Sequence, residues 1–126
     1  MKNTAIRGKY KPQNPQKYKG NVNKIIYRSM WERRFMIYCD KSPHIHTWSS
    51  EELAIPYVYK GKQRTYYPDF VITYTDKHGN IRHTIIEIKP HYQCKWAQNH
   101  SKWEHAICYA NTHNYEFKVL TERELF

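Results

Sequence analysis

Two carboxylates and an amine stand out by type and spacing: Asp69 in "YYPDFVI", and Glu87 with Lys89 in "TIIEIKP". In an extended strand successive side chains point to opposite faces. Ile85, Glu87 and Lys89 then share one face, and Ile86 and Ile88 share the other. The intervening "DKHGN" reads as a turn centred on His78, and an antiparallel hairpin symmetric about it pairs residues whose numbers sum to 156. That register sets Asp69 across from Glu87, with Cβ atoms about 5 Å apart. Two carboxylates so placed repel unless something positive lies between them. Lys89 supplies one charge, and a divalent metal supplies two. Carboxylate oxygens suit Mg²⁺, with Mn²⁺ as a substitute. A metal held by Asp69 and Glu87 would polarise a phosphodiester and acidify a bound water, and Lys89 would orient that water and stabilise developing negative charge. The structural alternative is a cross-strand surface salt bridge among the three, worth about 1 kcal/mol or less.

Positioning such a pair takes a sheet with helices against it. From Ser29 the apolar residues Met30, Trp31, Phe35, Ile37 and Tyr38 recur at helical spacing, which predicts a first helix over 30–40. The stretch that follows is rich in Ile, Val, Tyr and Thr, punctuated by "KGKQ" and "DKHGN", and predicts strands at about 52–59, 64–75 and 81–89. A second helix fits 96–112, with Trp96, Trp103, Ala106, Ile107 and Ala110 on one side, and "YEFKVL" alternates as a last strand. The predicted order is αβββαβ, a mixed α/β domain over residues 25–126. Residues 1–24 lack periodicity and are rich in Pro, Asn, Gln and Lys, so they read as an extended arm.

Charge is distributed along the same division. The chain has 126 residues and a net charge of +10, and residues 1–34 carry ten Lys or Arg against the single acid Glu32. A basic arm on a nearly neutral body predicts a polyanionic partner, usually nucleic acid. No apolar leader opens the sequence and no stretch approaches the roughly 20 apolar residues of a membrane span, so a soluble, unexported protein without a membrane partner is expected. Cys39, Cys94 and Cys108 are an odd, scattered set, which fits free thiols in a reducing compartment. The spacing of Cys94, His100, His105 and Cys108 lacks the paired units of structural zinc sites, and Cys108 beside Ile107 reads as core.

"YYPDFVI" followed by "IIEIKP" matches the PD-(D/E)XK nuclease motif at Pro68, Asp69, Glu87 and Lys89. With "YRSMWERRF", "WSSEELAIPY" and "FKVLTERELF", in order and over nearly the whole chain, the sequence resembles the head completion nucleases of tailed bacteriophages. The resemblance implies a restriction-endonuclease-like fold and a metal-dependent endonuclease of double-stranded DNA. It further implies action on packaged DNA late in capsid assembly, before tail joining, in the host cytoplasm or associated with the virion, with capsid or portal-vertex proteins as further partners. Two alternatives stay open: a nuclease of the same superfamily that cuts transposon ends or resolves junctions, and a capsid-completing structural protein with an idle site.

The resemblance also places Glu32, in the first helix, at the metal site beside Asp69 and Glu87. Ser29 and Glu32 form an S-x-x-E capping box, which accounts for both residues structurally. An acid at Glu51 has the same double reading, as a strand-entry or capping residue or as a ligand. Arg28, Arg33, Arg34, Lys102 and the arm lysines Lys9, Lys11, Lys17 and Lys19 are candidate phosphate contacts. Tyr66, Tyr67, Trp48, Tyr10 and Tyr18 could stack on bases. No element reads base edges, so sequence-tolerant, salt-sensitive binding is expected.

Overall fold

The computed structural model describes residues 7–125. Its centre is a four-stranded sheet in the order β3-β6-β7-β8, formed by Ile45–Ser50, Phe70–Thr75, Ile81–Ile88 and Glu116–Leu120. Neighbours are antiparallel except β7 and β8, which run parallel and are joined through helix α2 (Ala97–His113). Helix α1 (Met30–Lys41) precedes β3, and a short α3 (Glu122–Leu125) follows β8. Two smaller ladders complete the fold: β1 (Gly8–Lys9) with β2 (Ile26–Tyr27), and β4 (Ile55–Tyr59) with β5 (Lys62–Tyr66). Along the central sheet the order is αβββαβ, as expected.

The expected hairpin register holds. Phe70 pairs with Ile86, Val71 with Ile85 and Thr75 with Ile81. Its turn is closed by the Asp76 carboxylate, which accepts from the His78 and Asn80 N–H groups at 2.9 Å each, with Gly79 at φ 82°. Alternation sorts the side chains as read from sequence. Ile86, Ile88, Phe70 and Ile72 pack with Trp48, Phe35, Met36 and Tyr18 on one face, while Ile85 packs with Tyr57, Tyr66, Ala106 and Ala110 on the other.

Three expectations are corrected. The first strand of the central sheet is Ile45–Ser50, not 52–59. Trp48, Ser49 and Ser50 are buried in succession, so the alternation that marks a half-exposed strand is missing from "IHTWSS". The run read as one strand over 64–75 is two strands in different sheets, because Pro68 has no N–H to offer a ladder and the chain bends between Tyr66 and Phe70. On α2, Ile107 and Cys108 face solvent rather than the core, as does Trp96 at the N-cap, while Ala106 and Ala110 are buried as expected.

Residues 8–24 lie against the body, with Tyr18 buried and its ring edge-on to Trp48 at 4.8 Å. The arm converges on Asp40 of α1, which is fully buried. Tyr10 Oη donates to Asp40 Oδ2 at 2.6 Å, and the N–H groups of Gln13 and Asn14 donate to Oδ2 and Oδ1 at 2.8 and 2.9 Å. Burial alone would raise the Asp40 pKa, but these donors outweigh it and hold the carboxyl below its ordinary range. Lys17 Nζ donates to the Asp40 and Ser42 carbonyls at 3.1 and 2.8 Å, satisfying acceptors at the end of α1. Residues 1–6, the first part of the predicted arm, lie outside the described residues, as does 126. Among the described residues no helix is long and apolar enough to cross a membrane.

Candidate active site

Asp69 and Glu87 meet where β6 begins and β7 ends. The Asp69 backbone is held from both sides: its carbonyl accepts from the Glu51 N–H at 3.2 Å, and its own N–H donates to Glu87 Oε1 at 3.3 Å. Because the chain turns away at Pro68, the Asp69 carboxylate takes over as acceptor for the next donor of β7, receiving the Ile88 N–H on Oδ2 at 2.7 Å. Short, charge-assisted contacts of this kind fix a carboxylate's orientation before any ligand arrives.

Glu87 is 2% exposed, and Lys89 Nζ stands 3.9 Å from its Oε2. Burial pushes the Glu87 carboxyl above its ordinary range, opposed by the nearby ammonium of Lys89 and by that of Lys102. Tyr66 borders the same spot. Its hydroxyl is pushed far up by burial and then by the negative charge of Glu87 and Asp69. Tyr66 Oη and Trp103 Nε1 are both buried without a hydrogen-bond partner. Lys102 Nζ lies 5.6 Å from the centre of the Tyr66 ring.

This donor set fits a hard divalent cation. Two carboxylates converge, one of them buried with less positive charge around it than burial demands. Among the described residues no group of three or more His, Cys, Asp or Glu side chains could hold a metal. Mg²⁺ characteristically uses one or two carboxylates and completes its shell with water and phosphate oxygens.

A stability test follows from the buried carboxylate. Native Glu87 binds its proton more tightly than the unfolded chain does, so stability falls as pH rises through the window that opens near pH 4.3, the ordinary glutamate value. Without divalent metal, Glu87→Gln should therefore unfold at a higher temperature than the parent at pH 7. The gap should close as the pH approaches 4, and calorimetry across pH reads it directly. A variant less stable than the parent at pH 7 would show that the charged form is already satisfied by the protein.

Glu32 sits at the first turn of α1, where its N–H donates to Ser29 Oγ at 3.2 Å and its Oε1 accepts from the Arg28 N–H at 3.0 Å, a capping box shifted by one residue. Arg28 carries this end of α1 toward the site. Its Nε donates to both Glu51 oxygens at 3.1 and 3.3 Å, and its charge is favoured first by Glu51 and also by Glu32 and Asp69. Glu51 adopts φ 55°, a left-handed conformation that few non-glycine residues take up.

The remaining candidates divide. Lys9, Lys11, Lys19, Arg28 and Arg34 are exposed; Arg33 is half-buried, 6.0 Å from the Tyr27 ring centre, and Lys17 is committed to carbonyls. Tyr67 is exposed, as base stacking requires. Trp48, Tyr18 and Tyr66 are buried, and Tyr10 is bound to Asp40, so these rings pack protein rather than bases. Sequence reasoning missed Tyr66 and Trp103 as neighbours of the carboxylates. The signal available was position: Tyr66 stands three residues before Asp69, at the last place where β5 alternation still points a side chain inward.

Residues 42–122 match the family model described as TnsA-like endonuclease N terminal, a span that runs from the end of α1 through the first residue of α3 and contains Asp69, Glu87 and Lys89. The chain is also similar to the head completion nuclease of Enterobacteria phage T4, with 34% identity over 142 aligned positions covering 94% of this chain and 92% of that protein. On both counts the chain belongs to the TnsA-like endonuclease family, with the restriction-endonuclease-like fold, and is a nuclease.

Proposed function

We propose that this chain is a Mg²⁺-dependent endonuclease of double-stranded DNA that trims packaged DNA late in head assembly, before tail joining. The single observation that supports the chemistry best is the pair Asp69 and Glu87, brought onto one face by the register and locked together by the contacts through the Asp69 and Ile88 N–H groups. The assembly role rests on similarity to a protein named for head completion along almost the whole chain, arm included.

In this reading Asp69 and Glu87 hold the metal, and Mn²⁺ substitutes for Mg²⁺. Bound there, the ion would neutralise charge on the phosphodiester and make an attacking water more acidic. Lys89 places its ammonium beside Glu87, where it orients the incoming water and meets charge developing on the phosphate oxygens. Glu32, at the first turn of α1, supplies a further carboxylate in this reading. The fixed N–H contacts to Asp69 and Glu87 keep the ligand oxygens aimed without reorganisation during the reaction.

Nicking of supercoiled plasmid by the purified protein tests the proposal. Activity should vanish with EDTA and return with Mg²⁺ or Mn²⁺. Undiminished nicking in EDTA would remove the metal from the mechanism, and no cleavage of duplex DNA under any divalent cation would remove the substrate.

A further inference from the structure

The β4–β5 ribbon packs on the α2 side of the central sheet without joining it, and it carries cations without acids. Residues 53–68 contain Lys60, Lys62 and Arg64 and no acid. All three cations are exposed, and none forms an ion pair with a described residue. Packing does not ask for them: the ribbon is anchored by Ile55, Tyr57 and Tyr66 in the second core, and by Ser101 Oγ donating to the Val58 carbonyl and Gln98 Nε2 donating to Tyr57 Oη. Three like charges on one short ribbon repel each other, a cost that an acid nearby would relieve.

The direction of the ribbon gives these charges a use. Alternation along β5 puts Lys62, Arg64 and Tyr66 on one face. At its root that face turns the Tyr66 hydroxyl toward Glu87 and Asp69, so the face that borders the site at one end carries the two cations further out. At the strand rise of about 3.4 Å per residue, Arg64 and Lys62 stand roughly 7 and 14 Å beyond Tyr66, the span of about four base-pair steps. Lys102, over the Tyr66 ring, adds a cation at the root. The tip is slim because Lys60 and Gly61, at φ 51° and 74°, make a two-residue turn between the paired residues Tyr59 and Lys62. A two-stranded ribbon of this width is one of the elements that the major groove of duplex DNA admits.

We propose that the β4–β5 ribbon grips duplex DNA on one side of the scissile bond, with Lys60, Lys62 and Arg64 on backbone phosphates. This rests on the reading of the chain as a DNA endonuclease. It moves the principal phosphate contacts from the N-terminal arm to the hairpin that leads into Asp69.

The test measures affinity for a labelled duplex by fluorescence anisotropy in EDTA, across a range of salt. Each phosphate contact contributes about 0.9 to the slope of log K against log[salt], so the triple variant Lys60→Gln/Lys62→Gln/Arg64→Gln should lose about 2.7 of slope, and Lys62→Gln alone about 0.9. A charge-matched control, Lys41→Gln/Lys77→Gln/Lys118→Gln, removes three exposed cations elsewhere and should leave the slope near that of the parent. An unchanged slope in the ribbon variants, or an equal loss in the control, overturns the proposal while leaving the endonuclease reading intact. Failure of the parent to bind duplex DNA at all overturns that reading instead.

Discussion

Asp69→Asn is expected to abolish cleavage while leaving the protein at least as stable as the parent. The asparagine oxygen can still accept the Ile88 N–H that Asp69 receives at 2.7 Å, so the junction between β6 and β7 keeps its contact. What disappears is one of two negative charges, and with it half of the carboxylate set for a divalent cation. If metal binding contributes about 4 kcal/mol to the transition state, plasmid nicking under Mg²⁺ should fall roughly 10³-fold. In EDTA the melting temperature should hold or rise, because the native state loses a like-charge neighbour of the buried Glu87. Opposite signs in activity and stability mark a residue kept for chemistry. A structural salt bridge predicts the reverse pattern, with cleavage kept and stability lost. Glu32→Gln separates the two roles of the helix residue in the same assays: the amide oxygen can still accept the Arg28 N–H, so retained stability with lost cleavage assigns Glu32 to the site, and unchanged cleavage leaves only the cap.

The largest stability effect is expected at Asp40, remote in sequence from the catalytic strands. Its carboxylate accepts the Tyr10 hydroxyl and the N–H groups of Gln13 and Asn14, and it is fully buried. Hydrogen bonds to a charged group contribute about 1.5–3 kcal/mol each, and they do not add fully. Asp40→Ala should cost about 4 kcal/mol in urea unfolding, a large share of the ~5–15 kcal/mol that holds a domain together. Proteolysis should then cut first within residues 8–24. The pH dependence has a definite sign. Because the native carboxyl lies below its ordinary range, its contribution is full above about pH 3.9 and fades as pH falls through the native value. Parent and variant should therefore converge in acid. Equal urea midpoints at pH 7 would show that the arm is held by Tyr18 and its neighbours alone.

Much of the site was legible because two elementary periodicities determine it. A turn centred on His78 and an alternation of two placed Asp69 against Glu87 without any knowledge of the sheet around them, and both helices followed from 3.6-residue spacing. The failures share a cause as well. "IHTWSS" is buried in succession over its second half, so its polar letters conceal a strand whose position is decided by neighbours. The arm has no period because its docking relies on single side chains, above all Tyr10 and Tyr18, meeting partners in α1 and β3. Tyr66, Trp103 and the ribbon cations acquire meaning only when the chain around Pro68 is seen to bend. Such long-range pairings leave no local signature.

The parallel pairing of β7 with β8 also sets a schedule for synthesis. Glu87 lies across from Val119, and the Lys89 N–H donates to the Leu120 carbonyl at 3.1 Å. The strand that carries both residues gains its second neighbour only when residues 116–120 have left the ribosome. Until then β7 is paired on one side alone, and the end that carries Glu87 lacks the neighbour that helps to bury it.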